Sequence, residues 1–211
     1  MSRDAPSTHE GRGDNPAPLV HFAPGQYPSD LETHVVVRSG SKLPLRPIRP
    51  DDASKLIEFH RRLSPDSIYR RYFSEHPTLS PSEVRHLTTL DYVDRMALVI
   101  EDGDELIAVG RYDRYPNSSE AEVAFIVRDD FQHSGLGLRL LDVLAEAAWD
   151  RGIKTFTAET QVSNGDMLSV FLRSGFPVTT SVGGAEISAR FPIAPLHASR
   201  RGADHDRAEA L

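Results

Sequence analysis

Apolar positions along the chain follow helical spacing in some stretches and strand-like runs in others, punctuated by proline, glycine and capping residues. Residues 35–38 and 43–49 read as short strands around Ser39 and Gly40. Pro50, Asp51 and Asp52 then open a helix that carries Leu56, Phe59 and Leu63 at helical spacing. Ser64-Pro65 is an N-cap with proline at the first helical position, and a short helix with Ile68, Tyr69, Tyr72 and Phe73 follows, closed by Pro77. Ser80 and Glu83 form a capping-box signal for a helix to about Leu90. The pattern then changes. Residues 96–100 and 106–115 read as a hairpin around Gly103, and residues 121–128 as a third strand after the turn at 116–119. A glycine-containing loop leads into a long helix ending at Arg151, stopped by Gly152. A strand at 153–160, a helix at 164–174 stopped by Gly175, and a hairpin of 176–182 with 186–191 around Gly183-Gly184 complete the series. This order predicts a single mixed α/β domain built on one central sheet.

Composition sets the limits of that domain. Of 211 residues, 39% are hydrophobic and 26% charged, the balance of a globular protein. Residues 1–34 hold five prolines and three glycines with sparse, aperiodic apolar residues, so they read as a disordered tail; residues 196–211 read as a second one. The working domain is then 35–195. With 24 Lys+Arg against 31 Asp+Glu the net charge is −7, which argues against a nucleic-acid or anionic-membrane partner. The absence of cysteine excludes thiolate nucleophiles and cysteine-ligated metals in this chain, and fits a cytoplasmic protein. The first residues carry no apolar core of a secretory signal, and no run is long enough to span a membrane. The nine histidines show no His-x-His or His-x-x-x-His spacing, so no metal is expected.

The stretch with chemical content is Gln132-His133-Ser134-Gly135-Leu136-Gly137-Leu138, between a strand and a helix. Backbone N–H groups at a helix start lack internal partners, and the helix dipole favours negative charge there. Glycine lets the chain approach a phosphate without a Cβ in the way. The same glycines also suit an ordinary strand-to-helix turn. Leu140 stands where a dinucleotide fingerprint needs its third glycine, and no Gly-Lys-Ser/Thr follows, so neither of those nucleotide sites is expected. Glu122 lies in an otherwise apolar strand, on the face of Ala124 and Ile126. An unpaired carboxylate there would be desolvated, which suits a general base; a partner arginine would instead make it structural. Glu120, two residues earlier on the same face, competes for the role.

The Ala121-Glu122-Val123 strand, the Gln-x-x-Gly-x-Gly loop, and Asn164 with Met167 and Gly175-Phe176 resemble the GNAT superfamily of acetyl-CoA-dependent N-acetyltransferases. Residues 45–52, 63–73 and 90–92 are similar to the opening and helical segments of Pat-type protein lysine acetyltransferases, whose domain is also found fused to acyl-CoA synthetase-like chains. The resemblance implies a GNAT fold, a mostly antiparallel sheet with helices on both sides, and a cofactor in the gap where strands 121–128 and 153–160 splay apart. It implies acetyl-CoA as co-substrate, held by Phe125, Ile126 and Val127, by loop residues 132–138, and by Asn164 and Phe171. It implies Glu122 as the base that deprotonates the acceptor amine, a backbone N–H near Val127 as oxyanion donor, and a protein lysine as acceptor, on an acyl-CoA synthetase. Phe171 stands where many relatives carry a tyrosine that protonates the leaving thiolate, so no acid is expected from that position. Asn164 also suits a helix cap, and Arg139 and Arg173 suit either a phosphate or solvent. Tyr69, Tyr72 and Phe73 suit an acceptor groove or the core. Two other readings stay open: a small-molecule amine acetyltransferase, and an acyl-CoA-binding sensor without catalysis. With no cysteine for an acetyl-enzyme, transfer is expected to be direct within a ternary complex.

Overall fold

The computed structural model describes residues 23–37 and 40–194. Eight strands form one sheet in the order β1-β2-β3-β4-β5-β6-β8-β7. They are β1 (Thr33–Val36), β2 (Lys42–Pro47), β3 (Arg95–Asp102), β4 (Glu105–Arg114), β5 (Glu120–Val127), β6 (Thr155–Gln161), β7 (Thr179–Gly183) and β8 (Glu186–Pro192). Every neighbouring pair is antiparallel except β5–β6. The helices are α1 (Ala53–Arg61), α2 (Pro65–Tyr72), α3 (Pro81–Thr88), α4 (Leu136–Asp150) and α5 (Gly165–Leu172). This is the α/β GNAT fold that the motifs imply.

Local chemistry sets the helix ends. The Ser64 hydroxyl accepts from the N–H of Ser67, and Ser80 and Glu83 close a reciprocal capping box. Gly152 and Gly175 take φ of +83° and +82°, the left-handed conformation that ends α4 and α5 at little cost. The two faces of the sheet are covered differently. Gly110 of β4 faces α4, and Val109 and Arg111 on the other side meet α1 and α3 residues such as Phe59 and Leu87. A Cβ at Gly110 would lie 2.8 Å from the Phe125 ring and 3.1 Å from Leu140 and Leu144. Gly110→Ala is therefore expected to cost about 1–3 kcal/mol through overpacking, read as a lower urea midpoint at unchanged m-value.

Two boundaries differ from the expectation. Residues 23–34 are not a tail. Tyr27 packs edge-on against Tyr92 at 5.8 Å, Arg49 lies over the Tyr27 ring at 4.4 Å, and β1 begins at Thr33. The ordering contacts are tertiary, so no local pattern announces them. Residues 1–22 and the expected C-terminal tail at 196–211 lie outside the described residues, as do Arg38 and Ser39 of the first expected strand. The strand expected from 176 starts at Thr179. Phe176 instead donates its N–H to the Ser174 hydroxyl, and Pro177 has no N–H to give to a ladder.

Between α1 and the sheet, Arg46 makes a bidentate pair with Asp52 (2.7 Å to each oxygen) and a second with Glu101 (2.8 and 3.0 Å). Burial alone would push both carboxyls up, but the hydrogen bonds from Arg46 outweigh it and hold them below the usual range. No helix among the described residues is long and apolar enough to cross a membrane.

Candidate active site

β5 and β6 pair only through Glu120–Thr155, Ala121–Phe156 and Glu122–Thr157. Beyond Glu122 no pair links them, and a cleft of about 270 Å³ opens there. Its walls are the free edge of β5, the loop into α4, Glu159 and Thr160 of β6, one side of α5, and the underside of α2.

The register of β5 decides which backbone groups face the cleft. Arg128 donates to the carbonyl of Ile107, and Tyr115 donates to that of Glu120. Even-numbered residues of β5 therefore exchange hydrogen bonds with β4, and by alternation Phe125 and Val127 turn their N–H and C=O groups the other way. Past the last β6 pair these groups face the cleft. The Val127 carbonyl accepts from the Gln132 side chain at 3.2 Å, and the Val127 N–H remains on the open side.

The loop is built as an anion cradle. His133 and Gly135 take φ of +58° and +88°, and α4 begins directly after Gly135. The N–H groups of Leu136, Gly137 and Leu138 open a 15-residue helix and have no intrahelical acceptor, so the start of α4 offers donors to an anion. At Gly137 an added Cβ would stand 3.3 Å from Val170, so this glycine serves the packing of α4 on α5. The loop is tied to α2: the Asp129 carboxylate accepts from the Ser64 N–H (2.9 Å) and from the hydroxyls of Ser64 (2.6 Å) and Ser67 (2.8 Å). Burial pushes the Asp129 carboxyl up, and these hydrogen bonds more than reverse it. Gln132 also donates to the Ser67 hydroxyl at 3.1 Å.

All the residues that the motifs single out line this one cleft: Glu122; Phe125, Ile126 and Val127; Gln132, His133, Ser134, Gly135, Leu136, Gly137 and Leu138; Asn164 and Phe171. Their individual settings differ from the expectation in one respect. Glu122 is exposed, not desolvated, because the β6 cover ends at Thr157 and solvent reaches the strand from the open side. It has no ion-pair partner among the described residues; Glu120 takes Arg190 instead, which removes the competitor. Asn164 is buried and caps α5 by accepting from Met167 at 3.2 Å. Phe171 is fully buried against Phe191 (5.5 Å) and Phe125 (6.4 Å) and forms the cleft wall. The His133 ring is exposed, with Nδ1 3.6 Å from Asp166. Arg139 faces solvent away from the cleft, whereas Arg173 lines it. Tyr72 belongs to an aromatic cluster with His60 and His76, Tyr69 is exposed, and Phe73 reaches the cleft.

Sequence reasoning missed Thr160, Glu159 and the α2 residues Ser67, Arg70 and Arg71, all of which line the cleft. The available signal was weak: Ser67 and Arg71 share a helix face by their i, i+4 spacing. Thr160 carries the test of fit. It is 1% exposed, and its hydroxyl has no hydrogen-bond partner among the described residues. A buried hydroxyl left alone is costly, and a cleft-bound chain with amide groups would satisfy it. Free helix-start donors for a pyrophosphate, strand-edge amides and this hydroxyl match the parts of an acyl-CoA. No group of side chains with metal-ligand geometry exists among the described residues.

Comparison with known proteins gives the same answer independently. Residues 65–176, just over half of the chain, match the acetyltransferase (GNAT) family. The chain belongs to that family. Members of this family are acetyltransferases, and acetyl-CoA is their co-substrate. This GNAT chain is 34% identical over 145 residues to Acetyltransferase Pat of Mycolicibacterium smegmatis, an alignment covering 67% of this chain and 43% of that protein. The chain thus spans less than half the length of that relative. The crystal structure of the GNAT domain of S. lividans PAT superposes with a TM-score of 0.76 at 37% identity, over 80% of this chain and 100% of that one. At the level of fold alone, yncA of Salmonella typhimurium, solved with its cofactor acetyl-CoA, gives a TM-score of 0.58 at 17% identity, over 73% and 94% of the two chains.

Proposed function

We propose that this GNAT protein transfers acetyl from acetyl-CoA to the ε-amine of protein lysines in the cytoplasm, with an acyl-CoA synthetase as acceptor. What supports the reading is the convergence of Glu122, the unpaired edge of β5 and the first N–H groups of α4 on one cleft. The loop donors and α4 hold the pyrophosphate, and Phe125 and Val127 take the amide-bearing arm in the manner of a strand. The thioester carbonyl then lies in the splay between Glu122 and Val127, with an N–H of the open β5 edge as donor to its oxygen, and the acceptor amine lies on the Glu122 side of it.

A lysine amine has a pKa near ~10.4 and arrives protonated. One proton passes to Glu122, directly or through a water, and on to solvent. The freed nitrogen attacks the thioester carbon, the C–S bond breaks, and the second proton lost by nitrogen ends on the departing sulfur, giving amide and CoA thiol. Phe171 has no proton to contribute, and thiolate leaves readily without one. Catalysis rests on alignment and on this base.

The test is incubation of the purified protein with labelled acetyl-CoA and three acceptor sets: acyl-CoA synthetases, polyamines and free amino acids. Label on synthetase lysines is the expected result. Label confined to small amines would overturn the acceptor, and acetyl-CoA binding without transfer to any acceptor would leave only a sensor.

A further inference from the structure

Behind the cleft lies a second, smaller cavity of about 30 Å³, between α1, α2, α3 and the sheet. It shares Arg71, Ala124 and Ile126 with the cleft, so the two spaces meet at the underside of α2. A space of that size takes one water or one carboxylate oxygen. Its lining is apolar, with Leu56 and Leu87 among others, except for the polar groups of His60, Arg71, Tyr72 and Arg111.

Arg111 and His60 each carry a nitrogen without a hydrogen-bond partner among the described residues. Arg111 is 8% exposed, and its Nε has no hydrogen-bond partner; its Nη2 donates to the Leu87 carbonyl at 3.2 Å. Its nearest carboxylate oxygen, on Asp113, is 3.8 Å from Nε, and Asp113 is held more closely by Arg95 at 2.9 Å. Burial pulls the Arg111 guanidinium down to about 10, and the neighbouring cations Arg71 and Arg95 add to the effect. His60 is 3% exposed, and its Nε2 is likewise unpartnered. Arg71 itself has no ion pair among the described residues; its guanidinium lies 5.2 Å from the Tyr72 ring centre. Arg71 thus lies where the two spaces meet and Arg111 lines the inner one, while Asp113, the carboxylate near Arg111, is held more closely by Arg95. A buried guanidinium short of a counter-charge is costly, and a ligand anion would relieve that cost.

We infer that Arg71, backed by Arg111, forms an anion subsite for a carboxylate carried by one of the two co-substrates. Ala124 stands directly opposite Arg111 in the strand register and two residues beyond Glu122 on the same face, about 7 Å along the strand. A substrate that reacts in the splay between Glu122 and Val127 passes Ala124 and can therefore set a carboxylate against Arg71. Two sources share that chemistry: the free carboxylate of a dicarboxylic acyl group on CoA, and an acidic side chain next to the acceptor lysine. The inference rests on the proposed function only in placing both co-substrates in this cleft.

Binding measured by calorimetry tests it without requiring transfer. One arm compares succinyl-CoA with butyryl-CoA. The other, in saturating CoA, compares the blocked dipeptides Lys-Glu and Lys-Gln. In at least one arm the wild-type protein is expected to bind the carboxylate member tenfold or more tightly than its uncharged counterpart. Arg71→Gln is expected to abolish that preference and leave the uncharged ligand within twofold. Ala124→Asp, which supplies a carboxylate opposite Arg111 from within, is expected to abolish it too. The arm showing the preference identifies the source. Equal binding within both pairs, or a preference that survives Arg71→Gln, would overturn the subsite. Loss of acetyl-CoA binding or transfer alone counts against the proposed function and not against this inference.

Discussion

Replacement of Glu122 by Gln is expected to lower acetyl transfer to lysine by about 10²–10³-fold while leaving acetyl-CoA affinity within twofold, the scale of a lost general base. The side chain is exposed, and no other group in the described residues holds it, so the substitution removes a proton acceptor without breaking a contact. A purely structural role predicts a uniform loss at all pH values. A base predicts a loss that shrinks as pH rises toward ~10, because the amine then deprotonates by itself. The pH dependence of kcat/KM for wild type and Glu122→Gln, measured side by side, decides the matter. Parallel profiles would remove Glu122 from the chemistry. The exposed setting makes delivery the important variable: a solvated carboxylate acts only on an amine held within hydrogen-bond reach.

Phe171→Ala is expected to cost about 3–5 kcal/mol of folding stability, read from urea unfolding, and to weaken acetyl-CoA binding at the same time. Phe171 is fully buried between Phe125 and Phe191, and Phe191 in turn stacks on Phe176 at 5.9 Å and meets Phe156 edge-on at 6.1 Å. The ring joins α5, β5 and β8, so its removal opens a cavity in the wall of the cleft. Domains of ordinary stability hold only about 5–15 kcal/mol in total, so the variant is expected to be marginal at 37 °C. A loss below about 1 kcal/mol would mean that the wall is not built on this side chain.

The strand–loop–helix unit at the centre of the site was legible because its signals are local. Ala121 to Val127 is an apolar run broken only by Glu122, Gly135 supplies a left-handed turn, and α4 follows with regular apolar spacing. The caps at Ser64, Ser80 and Asn164 were legible for the same reason. What escaped depends on distant partners. The exposure of Glu122 follows from where β6 stops pairing, which Glu122's own neighbours in sequence do not encode. Arg71 reaches the cleft because Asp129, in a loop 62 residues beyond Ser67, anchors the start of α2. Tyr27 orders the N-terminal segment through Tyr92 and Arg49, and Arg46 gathers Asp52 and Glu101 from two separate elements. These are contacts of the assembled fold, without a periodic trace in the chain.

The short β5–β6 pairing has a thermodynamic meaning for the whole molecule. Strands β1 to β5 make one ribbon and β6, β8 and β7 another, and the seam between them is sewn by strand pairs only from Glu120 to Glu122. An acyl-CoA lying along the open part of that seam stands in for the missing stretch of strand. Its binding free energy is then also cohesion between the ribbons, about 2.7 kcal/mol when the ligand is present at a hundred times its Kd. On the proposed function, turnover and integrity are thus coupled: each departing CoA returns the protein to the form in which strand pairs alone from Glu120 to Glu122 join its two ribbons.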